Sequence, residues 1–209
     1  MGILNKPVIS SGGGFVVERT FYINFTNEFA TPPTESGYTW NTFQPTGSQL
    51  STPGSAVLSN IKTETNAAST VSLTNLTAFD GNTAGAANYT QSPPVYPVLA
   101  VNGAFQFTST STLRISGLTD GKYYHFSFLP VSGDSNANTT VTIGGTTVSK
   151  LATNNYPPTG SDRLTNSNLA TIINKQSTSG IIDITFDRTG FYVAPINLMF
   201  FQESGTIKS

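Results

Sequence analysis

The chain contains no cysteine, a single histidine and a single tryptophan among its 209 residues. Charged residues are equally scarce: 10% of the chain, with a formal net charge of −1. Each shortage closes off a class of function. Without Cys there is no disulfide scaffold, no zinc-thiolate site and no thiol nucleophile. One His cannot build a multi-histidine metal centre within one chain. Ten basic residues against eleven acidic ones leave nothing to neutralise a phosphate backbone, so nucleic acid is not an expected partner. No apolar run approaches the roughly 20 residues that span a bilayer, and Met1–Lys6 lacks the apolar core of a signal peptide. Lys6 also stands where a myristoylation motif wants Ser or Thr.

What the chain has instead is 32 Thr, 23 Ser and 18 Asn. Together with 19 Gly these disfavour long helices. Disorder is equally disfavoured, because 37% of residues are hydrophobic, 14 Phe and 8 Tyr among them. The local pattern is that of strands. Phe21, Ile23 and Phe25 alternate, as a half-buried strand requires. Tyr123–Leu129 is the strongest strand signal, with Tyr124, Phe126 and Phe128 pointing to the core. Thr139–Ile143 and Thr146–Leu151 flank Gly144-Gly145, which accepts the positive φ of a primed hairpin turn. Further strands are expected at Ala56–Thr63, Ser69–Phe79, Val98–Val101, Ala104–Thr108, Leu113–Leu118, Leu169–Ile173, Gly180–Phe186 and Pro195–Gln202. About a dozen short strands with turns between them predict an all-β fold, an antiparallel β-sandwich or jelly roll. Residues 1–14 read as an extended N-terminal arm ending in Gly12-Gly13-Gly14, which is linker composition. Residues 15–209 read as one sandwich domain.

Catalytic constellations are weak. Gly133-Asp134-Ser135 sits mid-chain in a Ser/Gly/Asn loop, with the only His upstream, and reads as a turn. No Gly-x-Ser-x-Gly elbow exists. His125 falls on the strand face opposite Tyr124, together with Tyr123 and Ser127, and reads as a sheet-surface or interface histidine. Asp183 and Asp187 share a strand at a separation of about 13 Å, too far for a retaining glycosidase pair. Asp80-Gly81-Asn82 and Asp134-Ser135-Asn136 are oxygen-rich loops that suit turns, with a structural calcium as the alternative. No enzyme is expected. Sequons at Asn24, Asn75, Asn88 and Asn138 match the number chance provides.

Loop aromatics carry the binding signal. Trp40, Tyr38, Tyr96 and Tyr156 stand in expected loops, with Asn155 beside Tyr156. Exposed aromatic faces stack on pyranose rings, and amides read hydroxyls. These five are the candidate glycan contacts.

Tyr22-Ile23-Asn24-Phe25, Trp40-Asn41, Leu58-Ser59-Asn60 and the Gly117-Leu118-x-x-Gly121-x-x-Tyr124 turn resemble a bacterial and phage accessory β-sandwich module. Asn154-Asn155, Gly190-Phe191-Tyr192 and Ile196-Asn197 resemble its closing segments. That module is appended to secreted esterases and glycoside hydrolases and occurs in phage virion proteins. Thr26 departs from its pattern, which has Gly there. The resemblance implies a carbohydrate-binding-like jelly roll with an accessory role. It frames two expectations. One is a structural or adhesion protein of an oligomeric assembly, a phage virion component such as a capsid decoration or tail protein, in a virion or extracellular setting. Its arm would dock a second copy or other virion proteins. The other is a carbohydrate-binding module for bacterial or plant polysaccharide.

Overall fold

The computed structural model describes residues 15–27, 39–84, 103–132, 137–151, 153–154, 169–189 and 193–208. The N-terminal arm, the expected strand at Val98–Val101, Asn88 and the Gly133-Asp134-Ser135-Asn136 loop lie outside them.

Two large sheets face each other. In the first, the strand order is β13 (Ala170–Gln176), β8 (Tyr123–Leu129), β16 (Leu198–Ser204), β1 (Val17–Phe25) and β2 (Trp40–Phe43). In the second it is β11 (Thr146–Leu151), β10 (Asn138–Ile143), β14 (Ile182–Arg188), β7 (Ser111–Ser116), β4 (Ser72–Asn75) and β3 (Val57–Leu58). Two small sheets complete the described residues. One pairs β9 (Val131–Ser132) with β12 (Thr153–Asn154), and the other joins β5 (Gly81–Ala84), β6 (Gly103–Phe107) and β15 (Ala194–Ile196). The pairing is antiparallel except at β1/β2 and β9/β12, which run parallel. This is the expected all-β sandwich of jelly-roll type.

The core lies between the sheets and is rich in phenylalanine. Phe21 and Phe201 stack at 4.6 Å across β1 and β16. Phe79, Phe107, Phe128 and Phe186 meet edge-on or tilted with centroids 5.7 to 6.2 Å apart, the geometry that aromatic quadrupoles favour. On the second sheet, burial alternates cleanly. Leu113 and Ile115 face inward while Thr112 and Arg114 face out. Its solvent side is a hydroxyl lattice, with Thr142 bonded to Thr147 at 2.9 Å and Thr140 to Ser149 at 2.7 Å. Asp183 lies on this side, paired with Arg114 at 2.8 Å.

Several local expectations change. The strand expected over Ala56–Thr63 shrinks to Val57–Leu58, because Asn60 takes a left-handed φ of 54° and turns the chain. A five-residue helix α1 (Gly47–Ser51) appears where no helix period was visible. Its start is specified by a capping box: the Thr46 hydroxyl accepts the Gln49 N–H, and the Gln49 side chain accepts the Thr46 N–H at 2.9 Å. Asn75 is not available for glycosylation in the fold. Its amide donates to the carbonyls of Leu50 and Thr52 at 3.0 Å each and accepts the Ala56 N–H at 2.9 Å. Asn24 is likewise buried.

Candidate functional site

The first sheet is buried on both faces, and that sets it apart. Phe21, Ile23, Phe25, Phe126 and Phe201 point into the core. Their neighbours Thr20, Tyr22, His125, Phe200 and Gln202 point the other way and are also inaccessible to solvent. The interior strands β1, β16 and β8 therefore have two buried sides.

Register arranges this outer face in cross-strand rows. Trp40, Tyr22, Phe200 and Ser127 form one row across β2, β1, β16 and β8. The Tyr22 ring lies 5.3 Å from Trp40 and 5.9 Å from Phe200. Thr20, Gln202 and His125 form the adjacent row across β1, β16 and β8. On the other flank Thr42 donates its hydroxyl to the Asn24 amide oxygen at 2.9 Å. Asn41 fixes the free edge of the sheet: its amide donates to the carbonyls of Tyr22 and Lys62 and its oxygen accepts the Lys62 N–H.

Four buried polar atoms on this face have no hydrogen-bond partner: Thr20 Oγ1, Gln202 Oε1, His125 Nε2 and Trp40 Nε1. Leaving a buried donor or acceptor unpaired costs about 1–3 kcal/mol. Native folds keep few such groups, so four on one sheet face leave hydrogen-bonding capacity unmet there. They are mixed in kind. The Trp40 indole donates, the Gln202 oxygen accepts and the Thr20 hydroxyl does either. His125 Nδ1 accepts the backbone N–H of Asn174 at 3.2 Å, so the neutral ring carries its proton on Nε2 and donates there. Burial, reinforced by the charge of Lys208, pushes the His125 pKa down to about 4. The ring is neutral at pH 7. Neutral donors and acceptors thus stand beside aromatic rings on this face.

One of the five sequence candidates falls among the described residues. Trp40 belongs here, on the edge strand β2 rather than in a loop, half-buried against Tyr22. Tyr38, Tyr96, Tyr156 and Asn155 lie outside the described residues. His125, read as a sheet-surface or interface histidine, is buried within the chain itself, with Phe15 packed edge-on against it at 4.6 Å and 86°. The Asp80 carboxylate accepts the Thr108 N–H at the start of β5, the role of a turn residue. Among the described residues no group of three or more His, Asp or Glu side chains could hold a metal ion. Tyr22, Thr20 and Gln202 were not singled out by sequence. The signal was present in Phe21-Tyr22-Ile23 and Leu198-Met199-Phe200-Phe201, whose unbroken apolar runs are the mark of strands buried on both faces.

No protein-family model matches the chain, and no curated protein matches it. Solved structures do. A chain in the complex of the plant peptide RALF23 with FER and LLG2 aligns with a TM-score of 0.48 at 10% identity, over 89% of this chain and 40% of that one. The Bacteroides uniformis beta-glucuronidase 2 aligns with a TM-score of 0.48 at 14% identity, over 87% of this chain and 17% of that one. TmCBM61, solved with beta-1,4-galactotriose, aligns with a TM-score of 0.23 at 14% identity, over 50% of this chain and 68% of that one. This chain thus spans well under half the length of the first two.

Proposed function

We propose that this chain is a non-enzymatic, extracellular carbohydrate-binding β-sandwich that engages glycan at Trp40, on the edge strand β2 of its first sheet. One observation carries the reading: Trp40 stands on the edge strand β2, half-buried against Tyr22, so that part of its ring faces solvent. A part-exposed aromatic ring at a sheet edge suits a pyranose, whose apolar C–H face stacks on it. Catalysis is not part of the proposal, since His125 is buried with Nδ1 engaged and Asp183 is paired with Arg114. A glycan array followed by calorimetry on the best hit tests it. Binding that Trp40→Ala weakens by about tenfold or more, as the loss of one stacked ring implies, supports the reading. Absence of binding to every neutral glycan overturns it.

An assembly role, such as a virion adhesion protein, is the second reading. It draws on the edge strand β3, whose Val57 is 51% exposed at the border of the six-stranded sheet. An apolar edge that is unpaired among the described residues is a template for another chain. Light scattering on the purified protein decides: a concentration-independent monomer removes this reading and leaves the first intact.

A further inference from the structure

We infer that the cavity at the tip of the β10–β11 hairpin is a separate binding site, which takes a uronic acid: a compact, hydroxyl-bearing ring with one carboxylate. The site does not depend on the glycan reading above. It lies at β13, whereas Trp40 lies on β2, and these strands are the opposite borders of the five-stranded sheet. A cavity of about 240 Å³ opens where the Gly144 turn and the start of β14 meet the end of β13. Pockets for drug-sized ligands run to roughly 300–1,000 Å³, so this one suits a single ring. Ile143, Ile181 and Ile182 give it an apolar wall, and Lys175, Gln176 and Thr178 give it polar groups.

Lys175 sets the charge of the ligand. Its ammonium donates to the Thr146 hydroxyl at 2.6 Å and to the Gly144 carbonyl at 3.3 Å, both neutral oxygens. An ammonium has three donors, so one N–H and the positive charge are left for another group. The carboxylates nearby are committed elsewhere. Asp183, on the cavity wall, takes both prongs of Arg114 at 2.8 Å each. Asp120 accepts the Ser177 hydroxyl and the Gly180 N–H. Arg114 and Asp183 cancel, so the cavity keeps one uncompensated positive charge among the described residues. A carboxylate answers that charge while the C–H face of its ring rests on the isoleucines. Gln176, whose amide makes only a long 3.5 Å bond to the Gly121 carbonyl, and the Thr178 hydroxyl meet ring hydroxyls. A doubly charged phosphate would set its second charge against Asp183, and a neutral sugar would leave the ammonium uncompensated.

The Gly144 amide reports on the cavity. Its signal is followed by NMR on the labelled full chain while glucuronic acid, galacturonic acid, glucose, butyrate or inorganic phosphate is added. The expected result is that a uronic acid shifts the Gly144 signal to saturation and glucose leaves it in place. Lys175→Met, which keeps the stem and removes the charge, should weaken that binding about tenfold or more, the loss of one charge-assisted hydrogen bond. Gln176→Ala, at an exposed position, should weaken it about threefold, with unchanged circular dichroism confirming both folds. Trp40→Ala should leave it unaltered. A Gly144 signal that no acid moves overturns the site and leaves the glycan reading standing. A response to glucose equal to that of the acids, or one that survives Lys175→Met, overturns the role of the charge. Equal affinity for butyrate or phosphate overturns the sugar class and reduces the cavity to an adventitious ion only. Loss of neutral-glycan binding at Trp40 with the Gly144 response intact overturns the glycan reading alone.

Discussion

Tyr124 and Glu203 close one end of the sandwich core: the phenol donates to the carboxylate at 2.7 Å, with both side chains buried. The same hydroxyl accepts the Thr119 N–H at 2.8 Å, and the Arg19 guanidinium clamps the carboxylate from β1. A turn, two strands and the end of a third are thereby tied at one point. Tyr124→Phe should cost about 1–2 kcal/mol, because Thr119 and Glu203 each lose a partner while the ring still packs. Burial and the bond to Glu203 raise the Tyr124 pKa above the usual tyrosine range. The folded state then keeps a proton that the unfolded chain releases, so this contribution to stability falls as pH rises above about 10. Denaturant melts at neutral and alkaline pH check both points; a variant as stable as the parent at neutral pH refutes the first.

The adjoining turn separates two kinds of glycine. Gly117 and Gly121 both have φ in the left-handed region, at 76° and 82°. A Cβ on Gly117 would fall 2.2 Å from the Thr70 carbonyl oxygen, whereas one on Gly121 would meet nothing within 4 Å. Alanine at either position bears the left-handed penalty of about 1–2 kcal/mol. Gly117→Ala must also push the Thr70 backbone aside, disturbing the Thr70 hydroxyl bond to the Gly117 carbonyl at 3.0 Å. Its loss should therefore exceed that of Gly121→Ala by about 1–3 kcal/mol. Equal melting temperatures for the two variants would contradict the geometry.

These elements show where sequence was readable. The β10–β11 hairpin follows directly from Gly144-Gly145, which adopt φ of 50° and 76°, and the inward row Tyr124, Phe126, Phe128 follows from alternation. Local chemistry was enough there. Asn75 shows the opposite case. Its bonds to Leu50, Thr52 and Ala56 join segments some twenty residues apart, and nothing in Asn75-Leu76-Thr77 distinguishes it from the other seventeen Asn. The candidate site was legible only at Trp40. Alternation along β8 places His125 opposite the inward row and makes that row read as a surface or interface of the sheet. The unbroken apolar runs of β1 and β16 mark it as buried, and two-sided burial makes the row of Thr20, Gln202 and His125 visible. Which residues share that row is fixed by register between strands nearly two hundred residues apart, beyond the reach of local pattern.

His125 also makes the fold sensitive to acid. Asn174 takes a left-handed φ of 57° at the bulge in β13 and presents its N–H to Nδ1. Protonating the ring puts a hydrogen on that same nitrogen, so the bond is lost and a buried cation is created near Lys208. Phe15, Gln202 and Asn174 surround the ring without supplying a carboxylate among the described residues. The folded pKa is about 4, against an ordinary value of 6.5. Between these values the unfolded chain binds more protons than the folded one, so stability rises with pH through that window and is lost on acidification from 6.5 toward 4. The full loss is on the order of 3 kcal/mol. The Asp120 carboxylate is held below its usual range by the Ser177 hydroxyl and the Gly180 N–H, so its own effect begins only at lower pH. A His125→Phe variant should flatten the pH dependence between 4 and 6.5 and leave the steeper fall below 4 in place. Parallel stability curves for parent and variant across that window would show that the ring is charged, or freely hydrated, in the folded protein.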